Sequence, residues 1–119
     1  MTWTNFLYAT QIDTTQTVRS GSVVYPRWEI TGPGFYLILT NTTTGDVLTL
    51  PVEIRRGETV TIDCAPSRRT VVGTVQGDLA DRVAAGSEFW PLIVGDNALA
   101  VELGQTLPES MITLIRRPL

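Results

Sequence analysis

Apolar and polar positions along the chain alternate with a period of two. Trp28 and Ile30 alternate with Arg27, Glu29 and Thr31, and Val60, Ile62 and Cys64 with Thr59, Thr61 and Asp63. That period belongs to extended chain with one face on a core and the other in water. Phe35 to Leu39 is a continuous apolar run, which predicts a strand covered on both faces or a central one. Val47–Leu50 and Val52–Ile54 read as one strand or two around Pro51, a residue that sheets confine to an edge or a bulge. Segments at Arg69–Val75, Ala98–Leu103 and Met111–Ile115, with N-terminal ones near Phe6–Thr10 and Thr15–Arg19, bring the set to about eight strands.

Between these segments fall Gly32-Pro33-Gly34, Thr44-Gly45-Asp46, Arg56-Gly57-Glu58, Gly77-Asp78, Gly95-Asp96-Asn97 and Leu103-Gly104. Each supplies a residue that tolerates positive φ or a short polar side chain that bonds its own backbone. Strands at this spacing predict a single all-β domain over residues 1–119, a β-sandwich or barrel. The one helical candidate is Leu79–Ala85, with Asp78 as N-cap and Gly86 as the stop; two turns need tertiary support to stand.

Composition narrows the chemistry. The chain has 119 residues, of which 43% are apolar and 18% charged, with a net charge of −3. A concentrated basic surface is what nucleic-acid binding requires, so that class is set aside. All nine basic residues are Arg, and His is absent. The absence of His removes the usual general base, the Ser-His-Asp and Cys-His relays and the commonest metal ligand. Cys64 is the single cysteine, so neither an intrachain disulfide nor a cysteine metal cluster can form. No basic n-region opens the chain and no apolar run reaches the length of a membrane span, so neither signal peptide nor span is expected.

The remaining candidates for chemistry each have a plainer reading. Three Trp residues could stack on sugar rings; Trp28 alternates in phase with Ile30 and belongs to a core. Trp90 follows Phe89, and neighbours in extended chain point to opposite sides, so one of that pair is core and the other meets a corner or a partner. The pairs Arg55-Arg56, Arg68-Arg69 and Arg116-Arg117 read as solvated strand ends that blunt edge-to-edge association. No two carboxylates are set apart by spacing as a glycosidase pair: Glu29 with Glu53 and Asp78 with Asp81 have solvation or turn duty as their default. Asp78, Asp81, Asp96 and Asn97 lack the loop pattern of a calcium site. Asn41-Thr42-Thr43 is formally a glycosylation acceptor, without force in the absence of a signal peptide. Cys64 reads as a small buried hydrophobe. Catalytic residues, metal and cofactor are all expected to be none.

The order of several segments is itself a signal. Tyr25-Pro26-Arg27-Trp28-Glu29-Ile30-Thr31-Gly32-Pro33-Gly34 is followed by Asn41-Thr42-Thr43-Thr44-Gly45, then by Gly57-Glu58-Thr59-Val60-Thr61-Ile62-Asp63, then by Phe89-Trp90-Pro91-Leu92-Ile93-Val94-Gly95-Asp96-Asn97. Together they resemble the C-terminal domain of phage distal-tail proteins of the siphophage baseplate hub, over about Val24 to Arg117. The resemblance implies a two-sheet antiparallel β-sandwich, jelly-roll or galectin-like, with at most one short helix. It implies a non-enzymatic structural and assembly role in a phage or prophage tail, with a location in the virion after production in the bacterial cytoplasm. Other tail and baseplate proteins would be the partners, and a homo-oligomer would be compatible with the role. Proteins of this type carry an N-terminal ring-building domain that has no counterpart in these residues. The alternative function is a carbohydrate-binding module that adheres to a host surface. For either partner or glycan the candidate contacts are Trp3, Trp90, Asp96, Asn97 and Arg56; no nucleic acid and no membrane is expected.

Overall fold

The computed structural model describes residues 2–5, 11–19, 24–107 and 109–118, with side chains described for 13–19, 24–107 and 109–116. Ten strands follow in chain order: β1 Thr2–Asn5, β2 Gln11–Val18, β3 Val24–Thr31, β4 Gly34–Asn41, β5 Asp46–Ile54, β6 Thr59–Asp63, β7 Thr70–Gly73, β8 Gly77–Asp78, β9 Gly95–Gly104 and β10 Met111–Pro118. They form a six-stranded sheet in the order β1-β10-β3-β6-β7-β8 and a four-stranded sheet in the order β2-β9-β4-β5. Every pairing between named strands is antiparallel. The chain is an all-β sandwich.

The period of two becomes burial as expected. Along β3, Val24, Pro26, Trp28 and Ile30 are buried while Tyr25, Arg27, Glu29 and Thr31 are half-exposed. Val60 and Ile62 of β6 face the same interior, and Leu37 and Leu39 of β4 and Leu48 and Leu50 of β5 meet them from the other sheet. Cys64 is buried, and burial, with the Asp63 carboxylate beside it, pushes its thiol up to about 12. The thiol is therefore inert at neutral pH, since the thiolate is the reactive form.

One expectation is met in the second of its two forms, and two change. The run Phe35–Leu39 is central in its sheet but covered on one face, with Phe35 and Tyr36 exposed. The reason is a bulge. Between Phe35 and Leu37, β4 uses two steps where β9 uses one, passing from Gly104 to Leu103. Against β5 the count reverses, and Pro51 and Val52 lie across from Tyr36. Pro51 thus sits within one continuous strand, on a sheet edge and beside an irregularity, where its missing N–H disrupts no ladder. The helix expected over Leu79–Ala85 is a single 3-10 turn at Ala80–Arg82. Asp78 Oδ1 accepts the Ala80 N–H at 2.9 Å, but none of the three residues in the turn is buried, so no apolar face rewards another turn. Asp63, in the polar phase of its strand, is buried because Oδ1 folds back to accept the Ala65 N–H at 3.1 Å. The strand expected near Phe6–Thr10 lies outside the described residues; the one near Thr15–Arg19 is the second half of β2.

The segment between β8 and β9 closes the sandwich. Ala84 N–H and Glu88 N–H donate to Thr49 O and Val47 O, so the chain first runs along the β5 edge. Trp90 then turns inward and donates its indole N–H to Leu39 O of the four-stranded sheet at 3.2 Å. Its ring meets Trp28 of the six-stranded sheet edge-on, with centroids 5.9 Å apart and planes at 70°. Two residues later Leu92 N–H donates to Val24 O at 2.8 Å. One short run thereby bonds both sheets, and Trp90 fills the space between them with a large apolar body and a satisfied polar tip.

Candidate interaction surfaces

The two ends of the sandwich are built differently. At one end, four connections are tied into a tier. Gly32 N–H donates to Glu58 O at 2.9 Å, and a Cβ at Gly32 would overlap the Arg55 carbonyl, so the turn between β3 and β4 needs glycine to lie this close. Glu58 is fully buried. Its carboxylate accepts N–H bonds from Arg55, Val75 and Gln76 and from the Gln76 side chain at 2.7–3.2 Å. Gly73 leaves room for it: a Cβ there would stand 2.5 Å from Glu58 Oε2. Ser110 Oγ donates to Pro33 O at 2.6 Å and accepts the Leu107 N–H, which fastens the loop between β9 and β10 to the same tier.

Burial raises the Glu58 pKa, but the four hydrogen bonds together outweigh it and hold the carboxyl below the ordinary glutamate value of 4.5. The unfolded chain therefore takes up this proton at higher pH than the native one. Glu58 stabilises the fold fully above the ordinary value, and that contribution is lost as pH falls through it and on through the native value. Glu58→Gln is expected to be less stable than the parent at pH 7, with the difference narrowing below about pH 4.5. Urea midpoints from pH 7 to pH 3 measure this, and parallel curves would show that the carboxylate is not the source.

At the other end the polar groups form a knot. Asn97 is fully buried. Its Oδ1 accepts from Asn41 Nδ2 at 3.0 Å and from the Ile93 N–H at 2.9 Å, while its Nδ2 donates to the carbonyls of Gln16, Ile93 and Gly95 at 2.8–3.2 Å. Asn41 Oδ1 in turn accepts the Thr43 N–H at 3.0 Å in the turn between β4 and β5.

Against this frame the five candidate contacts separate. Asp96 is exposed at the start of β9 and accepts from Thr17 Oγ1 at 2.6 Å. Arg56 is exposed in the tier and pairs with Glu109 at 3.0 Å. The two therefore lie at opposite ends of the molecule and form no common site. Asn97 and Trp90 are interior, 0% and 1% exposed: the first is spent on the knot and the second on bridging the sheets, so neither side chain offers a surface. The side chain of Trp3 lies outside the described residues; the backbone register places this residue opposite Leu114. Exposed aromatic surface is instead contributed by Phe35 and Tyr36, 41% and 45% exposed. In the sequence they open an apolar run, which hides their exposure; the adjacent Gly-Pro-Gly is the one local hint of irregular backbone.

Among the described residues no group of three or more His, Cys, Asp and Glu could hold a metal ion, and no helix is long and apolar enough to cross a membrane. No curated protein and no solved structure shows a significant match to the chain. A family model described as siphovirus-type tail component, C-terminal domain, matches residues 20–113. That stretch runs from just before β3 into β10 and takes in the bulge, the tier, the bridging Trp90 segment and the buried Asn97. The chain belongs to the siphovirus-type tail component family, of which it carries the C-terminal domain.

Proposed function

We propose that this domain is an assembly module of the distal end of a phage or prophage tail, of the baseplate-hub type, and that it acts by packing against other tail proteins. The observation that carries the reading is the family match across residues 20–113. The fold supports it in a second way: its buried polar side chains, among them Glu58 and Asn97, bond the backbone of its own turns and strands. What these ties leave to the outside is a surface whose described turns at the two ends are held in place, which suits a part whose work is to fit against neighbours. A jelly-roll or galectin-like description of the two sheets, and residence in the virion, belong to the same proposal.

Tails purified from lysates of the producing strain test it. Mass spectrometry should find the chain in intact tails, and gold-labelled antibody should mark one end of the tail by electron microscopy. Label on the head or along the whole shaft, or absence from purified tails, would overturn the assignment to the distal end.

A further inference from the structure

We infer that the outer face of the four-stranded sheet is a docking surface for an arginine-bearing protein, with Phe35 and Tyr36 as its apolar anchor. The inference deepens the packing role just proposed and rests on it.

The backbone is the first ground. Phe35 and Tyr36 are consecutive residues of a central strand, and regular alternation would turn one of them inward. Tyr36 instead takes φ 64°, a left-handed conformation that is costly for a bulky side chain and that marks functional sites when the surroundings maintain it. The bulge at this point re-aims a side chain and leaves both rings outside. They contact each other edge-on, with centroids 6.0 Å apart and planes at 62°.

Charge is the second ground. The charged side chains at outward positions of β2, β4, β5 and β9 are Asp13, Glu53, Asp96 and Glu102, all exposed. No outward position of these strands carries an arginine among the described residues; Arg19 and Arg55 lie past the ends of β2 and β5. Glu53 is directly across from Phe35, and Glu102 is across from Ile38, the next outward residue of β4. Within its strands this face carries carboxylates, with Arg19 and Arg55 only at its rim, so its centre repels polyanions and its complement is cationic. Aromatic rings beside carboxylates select arginine among cations, because a guanidinium stacks on a ring while its N–H groups reach a carboxylate in the same plane. A neutral sugar fits less well. Two rings inclined at 62° do not make a flat platform for a pyranose.

The test is an amide chemical-shift titration of the 119-residue chain. The probes are the peptide Gly-Arg-Gly-Arg-Gly, its lysine counterpart, neutral gluco- and galacto-oligosaccharides, and dilution of the protein alone. The arginine peptide should move the amides of Phe35 to Ile38, Glu53 and Glu102 saturably and should bind more tightly than the lysine peptide. Tyr36→Gly keeps a residue suited to φ 64° while deleting the ring, and should weaken binding about tenfold, the scale of a desolvated cation–π contact. Glu53→Gln with Glu102→Gln, at exposed positions that leave the fold intact, should weaken it further. No response at these amides would overturn the inference, as would shifts spread evenly over carboxylates of both sheets. A saturable response of the same amides to an oligosaccharide or to dilution would also overturn it, by assigning the face to a glycan or to a second copy. Tails that contain the chain while this face stays silent to the arginine peptide would sink this inference and leave the tail assignment standing.

Discussion

Trp90→Ala is expected to lower the free energy of unfolding by about 3–5 kcal/mol, the range for removing a buried Trp. Domains of this size have about 5–15 kcal/mol in all, so the variant would stand near the edge of folding at growth temperature. The size of the effect comes from position. Trp90 is 1% exposed, packs edge-on against Trp28 and bonds Leu39 O in the opposite sheet. Truncation would open a cavity between the sheets and also leave that interior carbonyl without the indole donor. Trp90→Phe separates the two contributions, since it keeps most of the ring and loses the donor; a loss of about 1–2 kcal/mol is expected from the smaller ring and the missing bond. Urea denaturation followed by far-UV circular dichroism gives both values. A Trp90→Ala variant within 1 kcal/mol of the parent, taken as an order-of-magnitude limit for a surface residue, would show that the segment does not join the sheets in solution.

Asn97→Ala should cost about 3 kcal/mol, comparable to a core truncation although no apolar side chain is lost. Each buried polar group deprived of its partner costs about 1–3 kcal/mol, and Asn97 serves Asn41 Nδ2, the Ile93 N–H and the carbonyls of Gln16, Ile93 and Gly95. Asn97→Asp is the more telling variant. It keeps shape and volume but replaces the Nδ2 donor by an acceptor facing three carbonyls, so it should be at least as damaging as alanine. Asn41→Ala should be milder, because Asn97 retains its backbone partners. The same denaturation series orders the three, and an Asn97→Asp variant as stable as the parent would show that the amide donates to nothing essential. Amide exchange at Ile93 should rise in step with the loss.

How far these features could be read from sequence depends on whether they are local. The alternation at Trp28–Ile30 and Val60–Ile62 needs only a strand and a core to appear in the fold, and it did so residue by residue. Pro51 was placed by what its ring forbids. The sequence leaves Trp90 two places, core or contact, and the fold puts it in the core. Asn97 looked like turn material because Gly95-Asp96-Asn97 has turn composition. Its burial depends on Gln16, 81 positions earlier, and nothing in the local pattern announces a partner so distant. The exposure of Phe35 and Tyr36 is non-local for a related reason: it is decided by how β4 is registered against β5 and β9. Arg56 and Asp96 are both exposed, but only the fold places them at opposite ends of the sandwich.

The pairing of early strands with late ones has a consequence for when this domain can fold. Among the described residues, β1 is hydrogen-bonded only to β10, and β2 only to β9. β9 and β10 are therefore made well after the strands they pair with. At synthesis rates of about 5–20 residues per second, roughly 90 residues separate β2 from its partner by some 5–20 s. Hairpins such as β4 with β5 can form during that interval, but β9 is an inner strand, and without it β2 and β4 have nothing between them. The two sheets are thus completed only once β9 and β10 have left the ribosome. High separation between pairing strands also makes that final step slow. A nascent chain of this kind is exposed to aggregation for seconds, and chaperones become a practical determinant of how many copies reach the native fold.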